Sequence, residues 1–322
     1  MNRRIDYLDR SKGILIILTV AAHIFQGCYF YDYTYSFHMM AFFFISGLLF
    51  NYSSALKKPF PETVKKLLFT MAVPFLFFEL LGVVRDLIRF GFELNLFGFL
   101  HNTLTLHFNN GILWFIFTLF IAELLFIPLA KAVSSKQILL LITFLMVPGT
   151  FFIPETSEPL LYAIRIPRAV FFLATGYTAP ALFEKPRWWL AGLCAAVISV
   201  LTYFHLNVEF TTTKLRNLPW FFLNSFCGIY FILTLGRLKP GGSWLDQIGK
   251  NSIIIYGTHS LYYIVFGFWM GIRDFKGISF WKGSLIFLLV ALAEVPTVFL
   301  LNRFAPFLVG KKRKKWNSQS SE

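Results

Sequence analysis

Long apolar runs alternate with short polar or basic segments along almost the whole chain. A helix that crosses a membrane needs about 20 largely apolar residues, and ten of these runs approach that length. The predicted spans cover residues 13–31, 35–52, 67–87, 111–130, 137–154, 167–183, 188–205, 218–236, 251–271 and 280–301. The pattern therefore predicts an all-α integral membrane protein, built as a bundle of about ten transmembrane helices.

Composition supports this fold class. Hydrophobic types make up 57% of the 322 residues and charged types only 14%, whereas soluble domains carry about 25% charged residues. The net charge of +14 is also typical of nucleic-acid-binding proteins, but the basic residues lie mainly between the apolar runs and at residues 311–315. This distribution indicates membrane topology, so we expect a multi-pass protein of a cell membrane that contacts membrane lipid and no nucleic acid.

The basic residues also predict the orientation of the chain. With the N-terminus in the cytoplasm, 21 of the 30 Lys and Arg residues fall on the cytoplasmic side. The positive-inside rule then places both termini in the cytoplasm. We divide the chain into a polytopic membrane domain, residues 1–310, and a basic cytoplasmic tail, residues 311–322.

Ionisable side chains inside the spans are the first candidates for function, because a charge in lipid is costly and usually faces a cavity. Such residues also occur as hydrogen-bonded packing residues, so each has a structural explanation as well. These residues are His23, His38, Glu79, Glu123, His259 and Glu294.

His23 stands out because Lys12 precedes it by eleven residues. Eleven residues are close to three helical turns, so both side chains lie on one face, about 16 Å apart along the axis. A cation at the cytoplasmic mouth suits a phosphate, and a buried imidazole near half-depth suits a general base. His23 as a packed, hydrogen-bonded residue is the structural alternative.

The second span carries His38 near its outer end and Ser46 and Gly47 two to three turns deeper. If residues 31–35 form a short hairpin connection, Ser46 and Gly47 lie near the level of His23. A Ser-Gly pair is equally typical of close helix packing in membranes.

Several motifs of this chain resemble the membrane-bound acyltransferase 3 family, and most closely its fucose 4-O-acetylase-like branch. The family pattern is a basic residue, ten residues and a histidine in the first span, which Lys12 and His23 match, although Arg is commoner at the first position. The motifs are Tyr7-Leu8-Asp9-Arg10-Ser11-Lys12-Gly13, His23, Phe37-His38-Met39, Phe42-Phe43-Phe44-Ile45-Ser46-Gly47, Leu113-Trp114-Phe115, Arg168, Gly176-Tyr177, Ile248-Gly249-Lys250-Asn251-Ser252, Tyr256 and His259.

The resemblance implies a ten-span bundle that transfers an acyl group, usually acetyl, from cytoplasmic acyl-CoA to a sugar hydroxyl of a surface or exported glycan or glycolipid. Acetyl-CoA is then the co-substrate, and no metal is expected. The resemblance makes His23 the catalytic residue and Lys12 a residue that binds the donor.

Chemistry adds further candidates to this interpretation. A neutral imidazole can accept the proton of a sugar hydroxyl, and Ser46 is a candidate donor to the oxyanion that forms. Positive charges on Lys57, Lys58, Lys65 and Lys66 suit the phosphates of CoA, although the positive-inside rule explains them equally well. The candidate residues for the acceptor side are His38, Arg85, Trp114, Arg168 and His259.

Two other functions fit part of the pattern. A transporter or flippase for a polysaccharide or lipid-linked sugar also uses intramembrane His and Glu residues, but the chain shows no convincing inverted repeat. A non-catalytic subunit of a glycan export system would tolerate mutation of His23. We therefore favour the O-acyltransferase.

Overall fold

The computed structural model describes residues 6–90, 96–180, 186–206, 208–211, 217–237 and 243–312. Helix accounts for 82% of the structure and no strand occurs among the described residues, which confirms the all-α prediction. The described α-helices are α1 Asp6–Ile24, α2 Tyr29–Tyr35, α3 His38–Tyr52, α4 Phe60–Leu67, α5 Val73–Phe90, α6 Leu96–Leu104, α7 Trp114–Ala132, α8 Lys136–Gly149, α9 Glu158–Thr178, α10 Trp188–Tyr203, α11 Leu218–Arg237, α12 Ser243–Lys250, α13 Ser252–Trp269 and α14 Phe280–Phe304.

Each predicted span overlaps one of these helices. Five described helical segments are long and apolar enough to cross a membrane. They are Tyr29–Tyr52, Phe60–Ile88, Gly111–Ala132, Leu218–Arg237 and Phe280–Phe304. The count of ten spans and the cytoplasmic termini stay predictions.

The first two spans differ from the predicted ones at their junction. α1 ends at Ile24 rather than near residue 31, because Gly27 adopts a positive φ of 70° that an α-helix does not accommodate. His23 therefore lies in the last turn of α1, not in the middle of a longer helix. Residues 31–35 were expected to form a short connection, but they belong to the separate helix α2.

The segment with Lys57, Lys58, Lys65 and Lys66 is largely helical. A 3₁₀ turn, Ala55–Lys57, leads into α4, where a proline occupies the first turn that tolerates it. A π-helical segment, Leu68–Ala72, then joins α4 to α5 without a break. The C-terminal turn Pro306–Val309 packs against this segment, since a Cβ atom on Gly310 would overlap the backbone of Thr70.

The centre of the bundle is the crossing of α3 and α9. A Cβ atom on Gly47 of α3 would overlap the carbonyl oxygen of Leu173, and one on Gly176 of α9 would overlap that of Phe44. The two backbones therefore touch at two reciprocal glycines, as small residues allow in membrane helices. α14 lies at the periphery with an exposed apolar stripe, which includes Leu288, Leu292 and Val295.

The beginning of α1 is fixed by α12 in a similar way. Cβ atoms on Gly13 and Gly249 would overlap backbone atoms of the opposite helix. Arg10 Nε also donates to Asp246 Oδ1 at 2.8 Å. These contacts set the position of Lys12 relative to α13, which follows α12 directly.

Candidate active site

α1 is one continuous helix from Asp6 to Ile24, so the predicted spacing of Lys12 and His23 holds. The two residues lie about 16 Å apart along the axis, on one face. Lys12 Nζ forms an ion pair with Asp9 Oδ1 at 2.8 Å, one turn earlier on the same helix. A phosphate that binds Lys12 therefore has to share the ammonium group with a carboxylate.

A cavity of about 120 Å³ begins at Lys12 and runs between α1, α3, α7 and α13. Its walls are mostly apolar. Lys12, Ser46, Ser252 and Tyr256 supply its polar side chains. The cavity thus joins the predicted donor residue Lys12 to Tyr256, whose ring lies 5.9 Å from the ring of His259.

His23 belongs to a group of rings at the other end of α1, which we call the ring cluster: His23, His259, Tyr35 and Tyr263. Measured from the centre of the His23 ring, His259 lies at 5.2 Å, Tyr35 at 5.9 Å and Tyr263 at 6.2 Å. His23, the catalytic candidate from the sequence, and His259, an acceptor-side candidate, therefore lie in one group of rings. Their roles stay predictions.

The tautomer of His259 follows from its neighbours. Its Nδ1 lies 3.0 Å from the carbonyl oxygen of Ile255 and 2.8 Å from that of Tyr256. Carbonyl oxygens only accept, so Nδ1 carries the hydrogen and Nε2 of the neutral ring has a free lone pair. In the described structure, this Nε2 is buried and has no hydrogen-bond partner. The free lone pair of Nε2 can accept a hydrogen bond but has no donor among the described residues.

His38 joins the ring cluster through Tyr35. Its Nδ1 lies 2.9 Å from the carbonyl oxygen of Thr34, which fixes its tautomer by the same argument. The rings of His38 and Tyr35 are 4.7 Å apart, and the Tyr35 hydroxyl reaches His23. His38 thus faces the site but contacts His23 only through another side chain.

Ser46 and Gly47 have different roles in the structure. Gly47 makes the close contact with α9, as the packing explanation proposed. Ser46 is half-buried and lines the same cavity as Lys12 and Ile16, rather than lying beside His23 as the hairpin geometry suggested. The reason is that α1 ends at Ile24, so His23 lies near Tyr35 and His38 at one end of the bundle. Ser46 follows His38 by eight helical residues, which is about 12 Å along α3.

Ser46 also borders a second cavity of about 140 Å³ between α3, α4 and α7. Lys66 and Glu123 are the charged residues in its wall. Lys57 and Lys65 are exposed on the same side, and Lys58 is paired with Glu62. The four lysines of the predicted phosphate site therefore do not converge on one point in this structure, although Lys66 reaches a cavity that contacts Ser46.

A family model described as an acyltransferase domain matches residues 5–303, which include every element of the site. The chain belongs to the acyltransferase 3 family. With its long apolar helices, the protein is a membrane acyltransferase, which confirms the enzymatic interpretation of the sequence over transport. No curated protein and no solved structure matches the chain significantly.

Three predicted acceptor residues of this acyltransferase brace the bundle instead of lining the ring cluster. Arg85 binds Asp86 and donates to the carbonyl oxygen of Asn109 at 2.7 Å. Arg168 is fully buried and donates to Thr150 and to the carbonyl oxygen of Phe210.

Trp114, the third, packs against two side chains of the bundle. The guanidinium carbon of Arg165 lies 4.5 Å from its ring centre, and the ring of Phe210 stacks at 6.0 Å. Part of the half-buried Trp114 ring is therefore already in contact with protein side chains.

A buried hydrogen-bond network contacts α13 at Gly257 and Ser260, before and after His259 in the chain. Glu79 accepts hydrogen bonds from the backbone N–H groups of Asn109, at 2.7 Å, and Asn110, at 3.1 Å. Asn110 in turn donates to the carbonyl oxygen of Gly257 and accepts from the Ser260 hydroxyl at 2.8 Å. Glu79 is thus a structural residue that positions α13.

Glu294 has a hydroxyl partner as well. Thr258 Oγ1 donates to the Glu294 carboxyl, with oxygen distances of 2.9 and 3.0 Å. The carboxyl borders an apolar groove of about 270 Å³ between α1, α13 and α14. Among the described residues, no group of His, Cys, Asp and Glu side chains suits a metal ion.

Sequence reasoning missed Tyr35 and Tyr263. Tyr263 had a usable signal, because it follows His259 by four residues and therefore shares its helix face. Tyr35 had none, because residues 31–35 were interpreted as a connection rather than as part of a helix that faces the end of α1.

Proposed function

We propose that this acyltransferase moves an acetyl group, or a short acyl group of similar size, from cytoplasmic acyl-CoA to a hydroxyl of a surface or exported glycan or glycolipid. The observation that supports the proposal is the cavity that holds both Lys12 and Tyr256. The ring of Tyr256 lies 5.9 Å from that of His259, which in turn neighbours His23. A donor site and a base site at opposite ends of one helix suit a reaction between a cytoplasmic donor and an acceptor from the other side.

The chemistry assigns His23 as the general base. The acceptor oxygen attacks the thioester carbonyl carbon, and His23 takes the hydroxyl proton as the C–O bond forms. The C–S bond then breaks, and the imidazolium returns the proton to the CoA thiolate. Ser46 is the proposed donor to the oxyanion, since it borders the cavity that would hold the thioester arm.

Lys12 binds a phosphate or carbonyl oxygen of the donor, while Lys57, Lys58, Lys65 and Lys66 attract the nucleotide phosphates. His259 accepts a hydrogen bond from the acceptor through its free Nε2.

His38 packs against the ring of Tyr35 and helps to shape the acceptor site through that contact. Arg85, Trp114 and Arg168 shape the acceptor side indirectly, through the bracing contacts described above. The fucose 4-O-acetylase-like branch is the family branch whose motifs the chain resembles most, which favours a sugar acceptor.

The test uses purified protein, labelled acetyl-CoA and a glycan acceptor. His23→Ala should keep the protein folded and able to bind acetyl-CoA but reduce transfer by about 10²-fold or more, since general base catalysis contributes about that much. Near-normal turnover by a folded His23→Ala protein would remove His23 from the mechanism. Mass spectrometry of the surface glycan, with and without this protein, identifies the acceptor.

The proposed topology has ten spans, with both termini in the cytoplasm of a bacterial cell. Reporter fusions after Lys58 and after Lys312 should report the cytoplasm, and a fusion after Asp32 should report the outside. An external C-terminus would contradict both this topology and a cytoplasmic donor site.

A further inference from the structure

The apolar groove between α1, α13 and α14 lies on the lipid-facing side of the bundle. One wall is α14, where Ala291 and Val295 both line the groove and are exposed. The opposite wall is α1, which contributes Ile16, Ile17 and Val20. The core of a bilayer holds no water that could fill such a groove. In the membrane the groove is therefore filled by hydrocarbon.

The length of the groove matches one leaflet of a bilayer. Its lining on α14 runs from Phe287 to Val298, and eleven residues of helix extend about 16 Å. The hydrocarbon core of a bilayer is about 30 Å thick, so each leaflet contributes about 15 Å. A single lipid tail therefore fits along the groove from end to end.

Glu294 borders the groove without making its walls polar. The residue is buried, and its carboxyl oxygens lie 2.9 and 3.0 Å from the hydroxyl of Thr258 on α13. The carboxyl thus has a partner within the protein. The other described residues of α1 and α14 that line the groove are Ile, Val, Ala or Phe.

The end of the groove beside Val298 is polar and carries a cation. Gln247 and Asn251 line the groove there, and Asn302 follows one turn after Val298 on α14. Lys311 Nζ donates to Asn251 Oδ1 at 2.6 Å and to Asn302 Oδ1 at 2.8 Å. Because both acceptors are neutral amide oxygens, these contacts bring a positive charge to the end of an apolar groove. A phosphate suits an ammonium group and amide N–H donors.

The chemistry of this groove matches an amphipathic lipid better than a segment of the chain. Residues 313–322 contain one large apolar residue, Trp316, among basic, amide, hydroxyl and acidic side chains. Such a segment suits the polar end of the groove but not its apolar walls. A phospholipid with an anionic headgroup complements both.

We propose that the groove binds a phospholipid with an anionic headgroup. One tail lies between α1 and α14, and the phosphate contacts Lys311 and the side-chain amides of Gln247 and Asn251. The tail fills the space between α14 and the rest of the bundle, so the lipid is part of the packing of this peripheral helix. The lipid site is separate from the proposed acyl transfer.

The test uses the full-length protein, reconstituted with phosphatidylglycerol that carries a photoreactive diazirine in one tail. Light attaches the tail to the side chains beside it, and mass spectrometry of peptides locates the adducts. Labelling of residues 16–20 reports the groove, because Ile16 and Val20 are buried, whereas α14 also faces bulk lipid. We expect the wild type to be labelled there.

Ala291→Phe should lose the labelling of residues 16–20, because it places a ring in the groove. The position is exposed, so the fold accommodates the larger side chain. Leu292→Phe is the matched control, since Leu292 is exposed on the same helix but does not line the groove. This variant should keep the wild-type labelling. Size-exclusion chromatography confirms that both variants are folded.

A second measurement concerns the headgroup. Phosphatidylglycerol and phosphatidylcholine, each with the diazirine tail, are compared at equal concentration. A lysine at the membrane surface favours an anionic lipid about fivefold. We expect the wild type to show this preference at residues 16–20 and Lys311→Gln to lose it. Lys312→Gln removes the neighbouring exposed charge and should retain the preference.

Three results would overturn the proposal. The first is equal labelling of residues 16–20 in the wild type and in Ala291→Phe, and the second is an equal preference for phosphatidylglycerol in the wild type and in Lys311→Gln. The third is a dimer in size-exclusion chromatography that Ala291→Phe dissociates, since the groove is then an interface between two copies. Each of these results leaves the proposed acyl transfer unaffected.

Discussion

Two regions of the bundle differ in whether their buried polar groups have hydrogen-bond partners. They are the crossing of α3 and α9 and the ring cluster around His23. At the crossing, two glycines bring the backbones together and Asn51 donates to the carbonyl oxygen of Tyr177 at 3.0 Å. At the ring cluster, Nε2 of His259 is buried without a partner in the described structure, and a cavity runs close by. The first region supports the fold, and the second leaves a buried ring nitrogen of His259 without a protein partner among the described residues.

The largest effect should come from closing the space at the crossing. Gly176→Val places side-chain atoms where the backbone of Phe44 lies, and overpacking costs about 1–3 kcal/mol or more when backbone must move. We expect no monodisperse protein in size-exclusion chromatography and no activity. Gly192→Val is the control, because a Cβ atom on Gly192 meets nothing within 4 Å. A folded, active Gly176→Val protein would show that α3 and α9 can move apart at the crossing without loss of the fold.

A smaller but specific effect is expected at the cavity. Ser46→Ala should lower kcat by about 10²-fold without loss of thermal stability, because loss of one oxyanion donor has that cost. Ser225→Ala is the matched control, since that buried hydroxyl donates to a carbonyl oxygen of its own helix. If both variants retain the wild-type kcat, Ser46 only packs beside Gly47.

Substitutions of Lys12, at the donor end of α1, should change the KM for acetyl-CoA rather than kcat. Lys12→Ala should raise the KM for acetyl-CoA about tenfold, the cost of one charge-assisted hydrogen bond. Added salt should weaken donor binding in the wild type and have less effect on the variant. Lys12→Arg keeps the charge and should stay within about threefold of the wild type. An unchanged KM in Lys12→Ala would place the donor elsewhere.

The smallest effect should come from Trp114→Phe. Because Arg165 and Phe210 cover the ring, we expect a loss of about 0.5–1 kcal/mol in stability and no change in the KM for the glycan acceptor. Thermal unfolding and acceptor titration measure the two quantities. An acceptor KM raised severalfold would indicate that a sugar displaces one of the covering side chains.

The sequence alone predicted the parts of this structure that depend on local pattern. Apolar runs predict helices, and the eleven-residue spacing of Lys12 and His23 holds because α1 is continuous. Tertiary contacts were beyond such reasoning. The meeting of His23 with His259 joins residues more than 200 positions apart, and the cavity exists only once α1, α3, α7 and α13 are packed.

The short helices were missed for a different reason. α2 and α12 are too short to show a span-like apolar run, and their positions depend on contacts with longer helices. Because α2 was not predicted, the position of Tyr35 beside His23 was not predicted either. Likewise, the bracing roles of Arg85 and Arg168 depend on carbonyl oxygens that no sequence motif reveals.

The close packing of α1 against α12 has a consequence for biosynthesis. α1 leaves the ribosome first, but Arg10 pairs with Asp246, 236 residues later. At about 5–20 residues per second, α1 waits roughly 10–50 seconds for that partner. During this interval the Asp9–Lys12 pair, which needs only one helical turn, already neutralises two charges of the nascent helix. α1 is thus the first helix made, but its contact with α12 forms only after residue 246, so a prematurely terminated chain lacks the packing that fixes Lys12 relative to α13.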